Sequence, residues 1–270
     1  MSIHPTAVVE NGAVLGHDVI VGPFAYIERG ACLGDGCAIG PQAVIYRNTT
    51  LGPGCRVHAG AVLGDLPQDL THKNDETYVK IGANCVVREG VTVHRGTKAG
   101  SSSIVGDECY LMSCSHVAHN VKLGKGVILA NGALLGGYSE VGDGAFISGN
   151  CLVHQFCRVG RLAMLGGGSA ISLDVPPFCT TQPLQPNKIL GLNVIGMRRA
   201  GMSPAERQEV KHAFTLIYGS GLNVPQAIQR VRDEFNDGPA IELCEFIEAS
   251  KRGVCRKNIE ENDIDVNLDL

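Results

Sequence analysis

An aliphatic residue recurs at every sixth position through most of the first 171 residues of this chain. From Ile3 the series runs Val9, Leu15, Val21, Ile27, Leu33, Ile39, Ile45, Leu51, Val57 and Leu63. It resumes at Ile81, Val87 and Val93, then continues from Val105 through Val117, Leu135 and Val153 to Ile171. Neither a helix nor a simple strand has this period. An all-β left-handed parallel β-helix does, because each flat face of its triangular prism uses about six residues and one coil about eighteen. A single coil cannot close a core, so stacked coils bury a continuous column of these side chains.

The other positions of the unit agree. The second is often Gly (Gly16, Gly34, Gly52, Gly82, Gly106, Gly124), and the fourth is often Gly or Asn (Gly36, Asn48, Gly60, Asn84, Asn120, Asn150). Gly and Asn accept the left-handed backbone that a repeated tight corner needs. The fifth takes small residues such as Ala7, Ala25, Ala43 and Ala61. Six of the eleven cysteines (Cys37, Cys55, Cys85, Cys109, Cys151, Cys157) fall there too, so they read as small buried hydrophobes. No CxxC pair suggests a metal site or a disulfide. The absence of Trp and the 35 Gly suit thin coils.

A net charge of −4 gives no reason to expect nucleic acid. The N-terminus lacks a basic-apolar-cleavage pattern, and no apolar run approaches spanning length. The expectation is a cytoplasmic protein with no stable membrane insertion.

Residues 1–177 read as the rod, with two polar interruptions at about 65–78 (DLPQDLTHKNDETY) and 98–103 (KAGSSS). Both read as loops thrown out of the coils. A connector follows over 178–201, and a C-terminal α-helical domain over 202–256. Ser203, Pro204 and Glu206 form a capping-box start. Further helices are expected at about Val224 to Phe235 and Ala240 to Lys251. The acidic stretch 257–270 reads as a loose tail.

The histidines mark where chemistry could sit. Val117, Leu135 and Val153 are eighteen apart and should stack on one face, so His119, Gly137 and Gln155 share the third position in one column. Tyr138 and His154 flank that column, and His116 precedes it. His94 joins the face if the second loop inserts about one unit. A solvent-facing β-helix surface has no structural reason to gather four imidazoles beside a glycine. Imidazole suits general-base work. Gly137 leaves a backbone N–H accessible beside His119, as an oxyanion requires. This pairing points to a hydroxyl attacking a carbonyl or thioester. Ser115 reads as a turn residue rather than a nucleophile.

The strings IHPTAVVE, VGPFA, PQDL, VTVHRGT, HVAHN, GNCLVHQFCRVG, DVPPF and GLNVIGMRRAG resemble the UDP-N-acetylglucosamine O-acyltransferase family of lipid A assembly, from about Ser2 to the C-terminal helices. The combination of HVAHN, VHQF and DVPP is highly specific. The resemblance implies a homotrimer of left-handed β-helices with active sites between subunits. It also implies transfer of a 3-hydroxyacyl chain from acyl carrier protein to the 3-hydroxyl of UDP-N-acetylglucosamine, with no cofactor and no metal.

Carried over by resemblance, His119 matches the general base and Gly137 the oxyanion donor. Asp69, His116 and Gln155 match sugar- and acetamido-contacting positions, with Gln68 beside them, and His94 and His154 match other cleft histidines. Asn193 and Arg199 match positions that reach the nucleotide in a neighbouring subunit, and Gly167 the position that limits acyl length. Arg198, Arg199, Arg207 and Lys211 are candidates to dock the acidic carrier protein. Asn120 stands where an Asp is common after the base, Tyr138 where a His is usual, and Thr71 where PQDLK has Lys. Ile195 and Ala200 replace Glu and Arg.

Other readings stay open at this point. The same rod could serve a related acyltransferase on another nucleotide sugar, including the sister N-acyltransferase. A zinc enzyme of the γ-carbonic-anhydrase type uses His-x4-His, whereas His116 and His119 are His-x2-His. A non-catalytic scaffold would have no use for the two loops.

Overall fold

The computed structural model describes residues 1–257. Short strands repeat along the chain and stack into three parallel sheets, the faces of a left-handed β-helix. The first sheet begins Ser2–Ile3, Ile20–Val21, Ala38–Ile39; the second Val8–Val9, Tyr26–Ile27, Val44–Ile45; the third Val14–Leu15, Cys32–Leu33, Thr49–Leu51. Between successive coils the aliphatic first residues of the unit face each other, as Ile27 and Ile45 do. Ile27, Ile45, Leu63, Val93, Val117 and Leu135 are fully buried in one core column. Each such side chain is worth about 1.5–3 kcal/mol of burial.

The corners are where the repeat needs unusual backbone. Asn48 (φ 61°), Asn84 (φ 56°), Asn120 (φ 60°) and Asn150 (φ 55°) all occupy fourth positions in the left-handed region. Tyr138 (φ 58°) and Phe156 (φ 64°) do so as well, with larger side chains. The fifth-position cysteines are buried, and Cys37, Cys55, Cys85 and Cys109 donate to the carbonyls of Gly52, Gly82, Gly106 and Gly124 at 3.0–3.2 Å.

Both interruptions preserve the register. Leu63 pairs with Val93, thirty residues on, and Val93 pairs with Val117, twenty-four on. The first loop therefore adds two six-residue units and the second adds one, which brings His94 onto the histidine face. The second loop is shorter than the reading of 98–103. Ser102–Val105 is a strand paired with Tyr78–Ile81. Ser103 can be buried there because its hydroxyl accepts from Asn120 N–H (2.8 Å) and donates to Ala118 O (3.3 Å).

The segment 178–201 is also more ordered than a plain connector. Cys179–Thr181 pairs in parallel with Met164–Leu165, and Lys188–Leu192 returns antiparallel beside it. Helix α1, Val194–Arg199, follows. Phe178, fully buried, explains this order, because the last coil needs an apolar cover. The helical part comprises α2 (Pro204–Gly219), α3 (Val224–Glu234) and α4 (Gly238–Glu248). The expected capping box is present: Glu206 N–H donates to Ser203 Oγ (3.2 Å) and Ser203 N–H to Glu206 Oε2 (2.7 Å). Helix α4 is shorter than the reading to Lys251, ending at Glu248 with Ala249 as its cap.

Arg256–Lys257 adds a strand beside Lys188–Leu192. The remainder of the expected tail, 258–270, lies outside the described residues. Among the described residues no helix is long and apolar enough to cross a membrane.

Candidate active site

Strands Thr92–His94, His116–Val117, Leu134–Leu135, Leu152–Val153 and Ala170–Ile171 lie side by side in the second sheet. Their inward residues fill the core, so the residues beside them must point outward. A cleft of about 640 Å³ opens over this face, lined by Gln68, His116, His119, Gly137, His154 and Gln155. Its floor toward the C-terminal coils is apolar, built from Leu134, Leu152 and Ala170. A second cavity of about 550 Å³ lies between the third sheet and α4. Its charged residues are all engaged, Lys122 with Glu140, Arg161 with Glu242 and Arg158 with Asp174, so it presents no free reactive group.

His119 is held by its neighbours on the second loop and the same corner. Thr97 N–H donates to Asn120 Oδ1 at 3.0 Å, which identifies that atom as the amide oxygen. His119 Nδ1 lies 3.2 Å from the same oxygen and 2.9 Å from Thr97 Oγ1. An amide oxygen only accepts, so this contact suits the tautomer with the proton on Nδ1, in which Nε2 keeps its lone pair. Nε2 lies 3.9 Å from Asp69 Oδ2, delivered by the first loop. Hydrogen bonds from Thr71 N–H and hydroxyl hold the Asp69 pKa below the usual carboxylate range. An ionised carboxylate beside Nε2 supplies the charge that Asn120 lacks.

Gly137 sits one coil further on. A Cβ there would fall 2.5 Å from His119 Nε2, in steric clash with the imidazole. Its carbonyl accepts from Phe156 N–H, while its own N–H has no partner among the described residues. The equivalent third-position N–H groups of His17, Ala83 and Lys125 each donate to an Asp side chain on the next coil, Asp35, Asp107 and Asp143. At Gly137 the next coil offers Gln155 instead.

The remaining residues divide by position. His116 receives or donates a 2.7 Å hydrogen bond at Nδ1 with Thr92 Oγ1, and burial, then His94 and His119, push its pKa down to about 4. His94 lies behind it, edge-on at 4.9 Å, and burial lowers its pKa too. It is 7 % exposed and does not line the cleft, so its Nδ1, without a partner among the described residues, faces protein. Tyr138 stands edge-on to His119 at 5.4 Å and stacks on Phe156 at 5.0 Å.

Gly167, Asn193 and Arg199 are not among the residues lining this cleft. Gly167 belongs to the corner after the first-sheet strand Met164–Leu165. Asn193 caps α1, accepting from Gly196 N–H (2.9 Å) and donating to Leu162 O (2.8 Å). Arg199 is exposed in the last turn of α1.

Sequence reasoning missed Thr92 and Thr97, although both lie in VTVHRGT. It also missed Arg252, whose Nη2 reaches within 3.4 Å of His154 Nδ1. Nothing in the repeat signals a residue arriving from 98 positions away.

The UDP-N-acetylglucosamine O-acyltransferase domain 2 family matches residues 174–255, and the bacterial transferase hexapeptide repeat matches residues 33–65 and 102–137. An acyl-[acyl-carrier-protein]--UDP-N-acetylglucosamine O-acyltransferase from Anaeromyxobacter dehalogenans is 38% identical over 102 residues, 37% of this chain. That match spans only 39% of the relative's own length. The protein of the same name from Bartonella henselae is 40% identical over 270 residues, covering 99% of this chain and 98% of the relative. Among solved structures, the UDP-N-acetylglucosamine acyltransferase of Bacteroides fragilis superposes with a TM-score of 0.89 at 39% identity, over 94% of this chain and 100% of that one. The enzyme from Campylobacter jejuni gives 0.89 at 35%, over 95% and 100%. With full-length identity of this order joined to the same rod and helical end, the chain belongs to the UDP-N-acetylglucosamine O-acyltransferase family.

Proposed function

We propose that this protein transfers a 3-hydroxyacyl chain from acyl carrier protein to the 3-hydroxyl of UDP-N-acetylglucosamine, the first step of lipid A assembly. The observation that carries the reading is the juxtaposition, on adjacent coils, of the His119 Nε2 and a Gly137 N–H that has no partner among the described residues. His119 Nε2 takes the 3-hydroxyl proton as that oxygen attacks the thioester carbonyl. Gly137 N–H receives the oxyanion of the tetrahedral intermediate. Collapse breaks the C–S bond, and the imidazolium returns its proton to the departing thiolate of the carrier arm. Asp69 stabilises the imidazolium meanwhile, and Asn120 and Thr97 fix the ring.

Gln68, His116, His154 and Gln155 contact the sugar end, with Tyr138 at the rim and His94 supporting His116 from behind. Leu134, Leu152 and Ala170 offer apolar surface for an acyl chain. A single rod face is too open to bury a ligand, whereas sites of this kind are normally concave. Three rods about a threefold axis would close the cleft and bring in Asn193 and Arg199 from a neighbour. Arg207 and Lys211, one turn apart on α2, join Arg198 and Arg199 as docking candidates for the acidic carrier.

Tyr138, Thr71, Ile195 and Ala200, which depart from the family pattern, favour a second reading with a related UDP-sugar as acceptor. Mass spectrometry of products from a panel of 3-hydroxyacyl carrier proteins against several UDP-sugars tests both. No acylated sugar nucleotide from any pair would overturn the assignment.

A further inference from the structure

One cation at the cleft has no task in the reaction as described. Arg252 lies four residues beyond the end of α4 and turns back to the rod, where Nε donates to Ser172 O at 3.1 Å. Its Nη2 lies 3.4 Å from His154 Nδ1. His154, Gln155 and Ser172 line the C-terminal end of the cleft. The segment carrying Arg252 is pinned on both sides. Ser250 Oγ donates to Asp174 Oδ2 (2.8 Å), Asp174 N–H to Gly253 O (2.9 Å), and Cys255 N–H to Asp174 O (2.8 Å). The guanidinium is therefore held in place by a fixed backbone.

The contact with His154 does not satisfy it. His154 Nδ1 is also 3.0 Å from Gln155 O. A carbonyl only accepts, so this shorter contact puts the proton on Nδ1, which then offers no lone pair to Arg252. Among the described residues no Asp or Glu forms an ion pair with Arg252. The nearby Asp174 is already engaged by Arg158 N–H (2.8 Å), the Arg158 guanidinium (3.7 Å) and Ser250. Of the five guanidinium N–H donors, Nε has a well-placed oxygen acceptor, and the Cys157 thiol is a further, weak and uncharged side-chain partner. The cleft around it adds no negative charge: Leu152, His154, Gln155, Ala170, Ser172 and Pro186 are all uncharged or imidazole. A half-buried guanidinium with no carboxylate partner among the described residues calls for an anion, and its planar fork matches two phosphate oxygens.

We propose that Arg252 is a specificity-determining residue that binds a substrate phosphate group at the C-terminal end of this cleft. The proposal rests on the acyl-transfer reading, in which the acceptor carries a diphosphate and the carrier arm a phosphodiester. Both present the same oxygens to a guanidinium.

Steady-state kinetics of the full-length protein, with each substrate varied in turn, test it using Arg252→Gln and Arg252→Lys. The Gln variant should raise KM for one substrate by about tenfold or more, the usual worth of a charge-assisted hydrogen bond, with kcat within about threefold. The Lys variant, which keeps the charge but loses the fork, should recover part of that loss. A rise confined to UDP-N-acetylglucosamine assigns the diphosphate, and one confined to acyl carrier protein assigns the phosphodiester. Unchanged KM for both substrates overturns the proposal. So does a joint fall in kcat and thermal stability that Lys fails to relieve, since that marks a purely structural role. Absence of product from the wild-type protein instead overturns the acyl-transfer reading, and this proposal falls with it.

Discussion

The imidazole of His119 fills the volume that a Cβ at residue 137 would occupy. The His119 ring and residue 137 are thus coupled, because the ring reaches its position only while 137 is Gly. Gly137→Ala should displace the ring and lower kcat about a hundredfold, the usual cost of misplacing a catalytic group by about an ångström. The N–H remains and no inward side chain changes, so the melting temperature should stay close to wild type. A Gly137→Ala protein with wild-type kcat would remove the steric link.

Loss of the imidazole itself should cost more. His119→Ala should reduce kcat by about 10²–10⁴-fold. The fold should persist, since only the His119 carbonyl, accepting from Tyr138 N–H, takes part in the coil. Near-normal turnover in a well-folded variant would reject general-base action by this residue.

The ring's orientation rests on Asn120 and Thr97, and these can be separated. Asn120→Gly keeps the left-handed corner unstrained but deletes the oxygen facing Nδ1. We expect a roughly tenfold loss in kcat, the order of one hydrogen bond to an ionising group. Asn120→Asp retains the acceptor and should match or exceed wild type. If the Gly variant equals wild type, Thr97 alone orients the ring.

Acid should weaken the fold through His116. An unfolded histidine titrates near about 6.5, whereas burial holds the folded His116 at about 4. Between those values the unfolded chain binds a proton that the folded chain does not. This contribution is therefore fully present above about pH 6.5 and is lost as pH falls toward 4. The slope is at most about 1.4 kcal/mol per pH unit, reduced by the solvent that still reaches the ring. His94, lowered by burial as well, acts in the same direction. Melting temperatures of wild type and His116→Gln across this range check it; parallel curves would exclude His116 as the source.

Donor length should respond to Gly167. A Cβ at Gly166 would meet Thr181 O at 2.6 Å, and Gly168 has φ +68°, so both are glycine for the coil's sake. A Cβ at Gly167 would meet only Gly149 O at 4.0 Å, which leaves its glycine without a packing reason. Gly167→Met should shift preference toward shorter 3-hydroxyacyl donors. Excluding two methylenes at about 0.8 kcal/mol each gives roughly a fifteenfold change in selectivity. An unaltered donor profile would place the length limit elsewhere.

What could be read from the sequence followed the period. Val117, Leu135 and Val153 predicted the stacking of His119, Gly137 and Gln155, because a repeat that buries its first residue also fixes where the third one points. Asp69 could be suspected only by resemblance, since a polar loop without a period carries no geometric address. The strands at Cys179–Thr181 and Lys188–Leu192 escaped notice because CTT and KILGL carry no six-residue aliphatic period, and in the second only Ile189 is buried. Arg252 escaped for a related reason: a residue tethered to the rod through Asp174 leaves no local pattern. His94 was placed on the correct face, yet its burial depended on how His116 lies over it.

The way the loops preserve register limits how this chain can change in length. Each six-residue unit turns the backbone by one face, so the rod tolerates length changes only in multiples of six or as excursions that leave and rejoin the same edge, and only whole circuits keep each residue on its face. Deleting six residues between Leu123 and Leu134 would leave every core position aliphatic and the coils still stackable. It would also rotate Gly137 onto a different side of the prism from His119. Such a variant should fold and be catalytically silent. Homologous rods can therefore drift freely in length at their ends, while the stretch from His119 to Gly137 must keep its eighteen-residue phase for the two to stay on one face.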